Sequence, residues 1–213
     1  MRKVLLLILS ISICYHMLAQ TPSQSVAGEY YLSGVMETAS GFRINTDSTF
    51  EFFFSQGALD RQGKGKYRID GNRITFKSDS IPAKDFALVN SKKQPGKNTI
   101  IRIADPNENI LRYVFVRVKS GTTMKEGFVD QQGYFNYQGN QPDSIDMMFE
   151  FCPEKISSFP ITTKDHNYFE FRFEPWLFEY FFDNFTLDIA EDGLKGGHPM
   201  LQGKEFSYIK SKE

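Results

Sequence analysis

The chain has 213 residues, with 25 Lys and Arg against 26 Asp and Glu, two cysteines, one tryptophan and 15% aromatics. A near-neutral balance excludes the basic face that nucleic-acid binding needs, and 40% hydrophobic residues exclude a disordered chain. Two cysteines cannot staple a small disulfide scaffold, and the length suits one large β domain or two small ones.

In chain order, the first element is an address. Arg2 and Lys3 precede an apolar run from Val4 to Cys14, and Ala19 is a small residue at the expected cut. This pattern predicts a secretory signal peptide over residues 1–19. The run is shorter than the ~20 apolar residues of a spanning helix, so no transmembrane span is expected. Ile13 is too large for the position before an acylated cysteine, which argues against a lipid anchor at Cys14. Loss of Arg2 and Lys3 takes two from the 25 basic residues against 26 acids, so the exported chain carries a net charge of -3. The expected destination is the periplasm, the outer-membrane surface or the medium.

Downstream, apolar and polar residues alternate in steps of two, with turn residues between the runs. Tyr30 and Leu32 open the series, Phe42 and Ile44 follow, and Phe50, Phe52 and Phe54 share a face. Asn45-Thr46-Asp47-Ser48 is turn chemistry. Tyr67 and Ile69 lead into Asp70-Gly71-Asn72, and Ile74 and Phe76 lead out, the strongest hairpin signal in the chain. Residues 91–97, Ser-Lys-Lys-Gln-Pro-Gly-Lys, read equally as a linker or a long hairpin loop.

Beyond that segment, Thr99–Ile103 and Leu111–Val118 are expected strands around the loop Asp105–Asn109. Val114, Val116 and Val118 face one way and Tyr113 and Phe115 the other, the pattern of a central strand covered on both sides. Further strands are expected at Ile145–Phe151, Tyr168–Phe173, Phe185–Ile189 and Glu205–Ile209. A short helix is plausible only at Trp176–Phe182, after Pro175. The fold class is all-β and mostly antiparallel, with at most one short helix.

Gly28-Glu-Tyr30, Gly41-Phe-Arg-Ile44, Asp47-Ser-Thr-Phe50 and Gly63-Lys-Gly-Lys-Tyr-Arg-Ile-Asp-Gly71 together resemble the opening of a bacterial lipocalin-like domain. The resemblance implies a β-meander or partial barrel over residues 28–90. Tyrosine replaces the tryptophan of the lipocalin opening, and too few strands precede residue 91 to close an eight-stranded barrel, so no ligand cavity carries over. Ile101-Arg-Ile103, Val114-Phe-Val-Arg-Val118 and Val129-Asp-Gln-Gln-Gly-Tyr-Phe135 resemble a transthyretin-like or carboxypeptidase-regulatory-like β-sandwich. That resemblance implies a module, usually non-catalytic, over residues 98–210. The C-terminal strands either complete this sandwich or return to the first meander, and the preference of sequential elements for neighbouring positions favours the sandwich. The whole chain is also similar to uncharacterised exported proteins of Bacteroidetes-type bacteria, which implies a location and no activity.

No nucleophile elbow, P-loop, zincin or Cys-x-x-Cys pattern is present. Gly63-Lys-Gly65 lacks a third glycine at Arg68 and reads as hairpin material. His166 and His198 stand apart and read as surface or loop residues, so neither a metal nor another cofactor is expected. Cys152 has no local base and reads as buried filler. Carboxylates such as Asp60, Glu150, Glu170, Glu174 and Glu179 could pair for glycoside hydrolysis, but spacing alone selects no pair.

The aromatic stretch Tyr168–Phe185 reads as core. Its alternative is a platform of Trp176 and Tyr180 for a sugar or a partner protein. A second candidate is the loop Gly57-Ala-Leu-Asp-Arg61, where Asp60 and Arg61 could bind a ligand or hold a turn. The expected function is therefore an exported, non-catalytic binding or structural module whose partner is a glycan or protein at the cell surface. The alternatives are a carbohydrate-active hydrolase and a lipocalin-like carrier of a small apolar ligand.

Overall fold

The computed structural model describes residues 25–203 and 205–212; the signal peptide and the lipid-anchor question at Cys14 lie outside them. The described residues form an all-β structure of two bodies, a closed barrel and a sandwich inserted into it. No helix among them is long and apolar enough to cross a membrane.

The chain begins with five barrel strands: β1 (Gly28–Ser33), β2 (Thr38–Ile44), β3 (Thr49–Gln56), β4 (Leu59–Asp70) and β5 (Arg73–Lys77). Alternation along these strands turns Phe42, Phe50, Phe52, Phe54 and Phe76 inward, where all five are buried. The β4–β5 hairpin forms where Asp-Gly-Asn predicts it, with Asp70 opposite Arg73 and Gly71 at φ 61°.

The chain then leaves the barrel for β6 (Phe86–Lys92), β7 (Thr99–Ile103), β8 (Val114–Ser120), β9 (Thr123–Phe128), β10 (Tyr134–Tyr137), β11 (Ser144–Phe149), β12 (Cys152–Pro160) and β13 (Tyr168–Phe173). These make two four-stranded sheets, in the orders β10-β7-β13-β6 and β12-β11-β8-β9. The pairs are antiparallel except β7 with β13. Their facing sides enclose one apolar core, with Val114, Val116, Val118, Ile145, Met147 and Phe171 fully buried.

Finally β14 (Phe185–Ala190), β15 (Gly193–Gly196) and β16 (Phe206–Lys210) return to the barrel. They close it in the order β1-β16-β15-β14-β5-β4-β3-β2. The meander of residues 28–77 thus lacks three strands of its own, and residues 185–210 supply them.

This topology departs from residues 98–210 as one sandwich. Leu187 pairs with Ile74, and Leu32 pairs with Tyr208. Sequence adjacency favours local pairing, but a meander with two open edges is satisfied only by strands that cover both. Ser91 and Lys92 of the expected linker belong to β6, opposite Phe169 and Tyr168. The rest of that segment is a loop clasped by Asn167, whose Nδ2 donates to the carbonyls of Gln94, Gly96 and Asn98.

Three local expectations also change. Leu111 lies in a 3-10 turn, Glu108–Tyr113, capped by Asn107, so β8 starts at Val114. The strand β8 is internal to its sheet, but only its Val114 face is core; Phe115 and Arg117 are half-exposed on the outer face. Trp176–Phe182 is not helical: it makes two i to i+3 bonds, Leu177 N–H to Glu174 O and Glu179 N–H to Trp176 O, then runs beside β4.

That segment joins the two bodies. Leu177 is buried in the sandwich core and Phe182 in the barrel core, five residues later. Gln62 on β4 bonds it on both sides, donating to Phe178 O at 3.5 Å and accepting from Tyr180 N–H at 2.7 Å. Gly63 permits this approach, since a Cβ there would sit 2.7 Å from the Tyr180 carbonyl and 2.8 Å from the Phe182 ring. Gly63 is therefore a slot for the returning chain, while a Cβ at Gly65 would meet the Lys77 carbonyl at the end of β5.

Candidate functional site

A β-strand sends alternate residues to opposite faces, so the barrel strands with a core face also build an outer wall. Two rows of that wall are set by the pairing register. In one row Tyr31, Gly41, Phe53 and Gln62 are consecutive cross-strand neighbours on β1 to β4. In the next row the neighbours are Glu29, Arg43, Glu51 and Lys64, alternating in sign. A cavity of about 360 Å3 lies over both rows, and the returning segment at Glu179 forms its bank. This volume falls within the ~300 to 1,000 Å3 typical of ligand sites.

The aromatic row is held from below. Tyr31 and Phe53 meet edge to face with centroids 6.1 Å apart. The Phe53 ring leans over Gly41, where a Cβ would stand 2.9 Å from it. Both rings stay open to solvent, Tyr31 45% and Phe53 39% exposed.

The charged row is organised around Arg43. Its Nε and Nη2 both donate to Glu29 Oε1, at 3.0 and 2.8 Å, and its Nη1 lies 3.5 Å from Glu51. The Tyr31 hydroxyl donates to the other Glu29 oxygen at 2.6 Å. Those donors, first Tyr31 and then Arg43, hold the Glu29 carboxyl below its usual range. A lowered carboxyl is the opposite of what a glycosidase general acid needs, so Glu29 is not suited to that role.

A second cavity, of about 300 Å3, shares Glu51, Lys64 and Glu179 with the first and extends to Asn45, Ser78 and Ser80. The two form one trench along the wall. Among the described residues, neither Lys64 nor Glu179 has an ion-pair partner within 4.0 Å.

The four residues singled out from the sequence are distributed differently. Asp60 and Arg61, adjacent on β4, face opposite sides: Asp60 is exposed on the outer wall opposite Ser55, and Arg61 is 4% exposed. Arg61 donates from Nε to Phe178 O (3.0 Å), from Nη2 to Glu179 O (3.2 Å), and from Nη1 to Glu154 (3.1 Å) and Phe151 O (3.4 Å). It therefore clasps the barrel to the sandwich and the returning segment. Tyr180 joins it, with the guanidinium 5.9 Å from the ring, and lines the second cavity. Trp176 stands apart; it is half-buried and its Nε1 donates to Lys84 O at 2.9 Å.

The wall residues were hidden in the sequence. Glu29, Tyr31, Arg43, Glu51 and Phe53 occupy the polar parity of ordinary strands. Only Tyr31 and Phe53, large apolar residues on the solvent face, break that pattern.

His198 is not a surface residue; it is 7% exposed in the loop that caps one barrel end. Its Nδ1 accepts from the amides of Met200 (3.0 Å) and Leu201 (3.1 Å). The proton therefore sits on Nε2, which donates to Ser40 Oγ at 3.0 Å, and Ser40 donates onward to Phe53 O. A catalytic histidine must accept from its serine, so this pair is locked in the wrong tautomer. Burial lowers the His198 pKa to about 4.

Cys152 is buried, and burial pushes its thiol up to about 12, far from a reactive thiolate. Among the described residues, no three His, Cys, Asp or Glu side chains gather as a metal site would require. No protein-family model and no curated protein matches this chain.

Proposed function

We propose that this is an exported, non-catalytic binding module whose ligand lies in the trench on the outer barrel wall. The observation that carries the reading is the register of the two rows: exposed Tyr31 and Phe53 lie directly beside a self-compensating line of charges. Exposed rings beside fixed polar groups combine apolar area with oriented hydrogen bonding, the composition of a recognition surface.

Two further features support binding at the wall over chemistry or internal carriage. The Ser40–His198 tautomer opposes a serine–histidine relay, and the Glu29 carboxyl is engaged by Tyr31 and Arg43 rather than held protonated as a general acid. The lumen is occupied by rings: Phe42 stacks on Phe76 at 4.7 Å, and Phe182 meets Phe50 edge-on at 5.0 Å. Export is inferred from residues 1–19 alone.

The test is an amide chemical-shift map of the mature chain, residues 20–213, screened against small sugars, amino acids and nucleosides. Shifts gathering at Tyr31, Arg43, Glu51, Phe53, Gln62 and Lys64 are expected. Shifts confined to the lumen around Phe182, or turnover of a substrate, would overturn the reading.

A further inference from the structure

We infer that the trench accepts a neutral oligosaccharide laid along the barrel wall, with its first ring at Tyr31 and Phe53; this rests on the binding reading above. Three physical observations carry it.

The first is shape. The two cavities share Glu51, Lys64 and Glu179, so an occupant is extended and passes Lys64.

The second is charge. Glu29, Arg43, Glu51 and Lys64 cancel along their row, and Glu179 adds a negative bank. A phosphorylated or sulfated ligand would meet the Lys64 ammonium together with the carboxylates of Glu51 and Glu179. The far end adds the Asp79 carboxylate, 3.9 Å from Lys66, beside Ser80 and Asn45, which donates to Thr49 at 2.9 Å, so the trench offers an anion more carboxylates than cations. A chain of hydroxyl groups suits such a surface, because each hydroxyl both donates and accepts; carboxylate, amide and ammonium side chains can all engage it.

The third is the backbone. An extended peptide usually binds by adding a strand to a free sheet edge. Here β3 is paired on both sides, and Gln62 on β4 spends its amide and carbonyl on Phe178 and Tyr180. No ladder is open to a peptide along the floor. Side chains must do the recognising; the Tyr31 and Phe53 rings, solvent-open and set at 62° to one another, offer apolar contact through one ring to the C–H face of a pyranose.

The experiment titrates the mature chain with neutral gluco-, manno- and N-acetylglucosamine sugars, comparing monosaccharides with oligomers of rising length. A sulfated oligosaccharide and a cationic peptide serve as controls. Affinity is expected to rise with length until the trench is filled, and to fall about tenfold in Tyr31→Ala and in Phe53→Ala. Tyr31→Phe keeps the ring and should retain binding, which separates loss of contact from misfolding. The inference is overturned if no neutral oligosaccharide binds, if Tyr31→Ala binds as well as the parent, or if the sulfated control binds more tightly. Should the peptide shift the wall amides instead, the sugar class fails while the binding reading stands. Failure of every ligand class at the wall removes both.

Discussion

At the scale of single residues, His198 links the fold to pH. Its neighbours Ser40 of β2, Phe52 and Phe54 of β3, and Phe206 and Tyr208 of β16 bring no charge to it. Tyr208 itself is held protonated by burial. The folded pKa of about 4 lies below the ordinary histidine value of 6.5. The stabilisation is therefore complete above pH 6.5 and is lost as pH falls towards 4, because the unfolded chain takes up the proton first. The loss should be on the order of 3 kcal/mol. Urea melts at neutral pH and near pH 4 measure it, and His198→Gln should flatten this part of the profile. Cys152 tests burial at the same scale. Continued alternation from Ile145 would put Phe151 inward and Cys152 on the polar side with Asp146 and Glu150, but the turn at Glu150 and Phe151 resets the parity, so Phe151 is 38% exposed and Cys152 1%. Native protein should resist iodoacetamide at pH 8, and urea-unfolded protein should be alkylated fully.

At the scale of elements, β4 and the returning segment decide whether barrel and sandwich act together. Arg61→Ala removes the donors to three backbone carbonyls and to Glu154 and should cost about 2 to 4 kcal/mol. Glu154 is 43% exposed in its side chain, so Glu154→Gln should cost under about 1 kcal/mol. Chemical denaturation of both variants measures the asymmetry; equal costs would mean that the ion pair, not the carbonyl cage, matters. Phe182 fills the barrel at 0% exposure, touching Phe50, Phe52 and Phe76. Phe182→Ala should cost about 3 to 5 kcal/mol through the cavity it leaves. Limited proteolysis should then cut between Phe173 and Phe185 faster than in the parent.

At the scale of the whole molecule, the sandwich is an insertion between β5 and β14. A chain ending at residue 184 lacks three of the eight barrel strands and leaves β1 and β5 without partners on their outer edges. It should lose barrel near-ultraviolet dichroism from Tyr30, Phe42 and Phe76, while the signals of the sandwich core persist. Retention of the full spectrum would show that the five-stranded meander stands alone. The same topology places the first cavity on β1 to β4, while Ser78, Ser80, Glu179 and Tyr180, from the two ends of the insertion, line the rest of the trench.

The residues account for a definable share of this architecture. Alternation in Phe50–Phe54 and Val114–Val118 and the turn Asp70-Gly71-Asn72 determined strand identity, inward faces and the all-β class, because a period of two and a positive-φ turn are local properties. Tyr180 and Arg61 could be noticed as unusual, but not that they meet. Closure by β14–β16, the split of Asp60 from Arg61, the burial of His198 and the two rows of the outer wall required the tertiary structure. Each depends on which strand lies beside which and in what register, and such non-local pairing leaves no periodic trace along one chain.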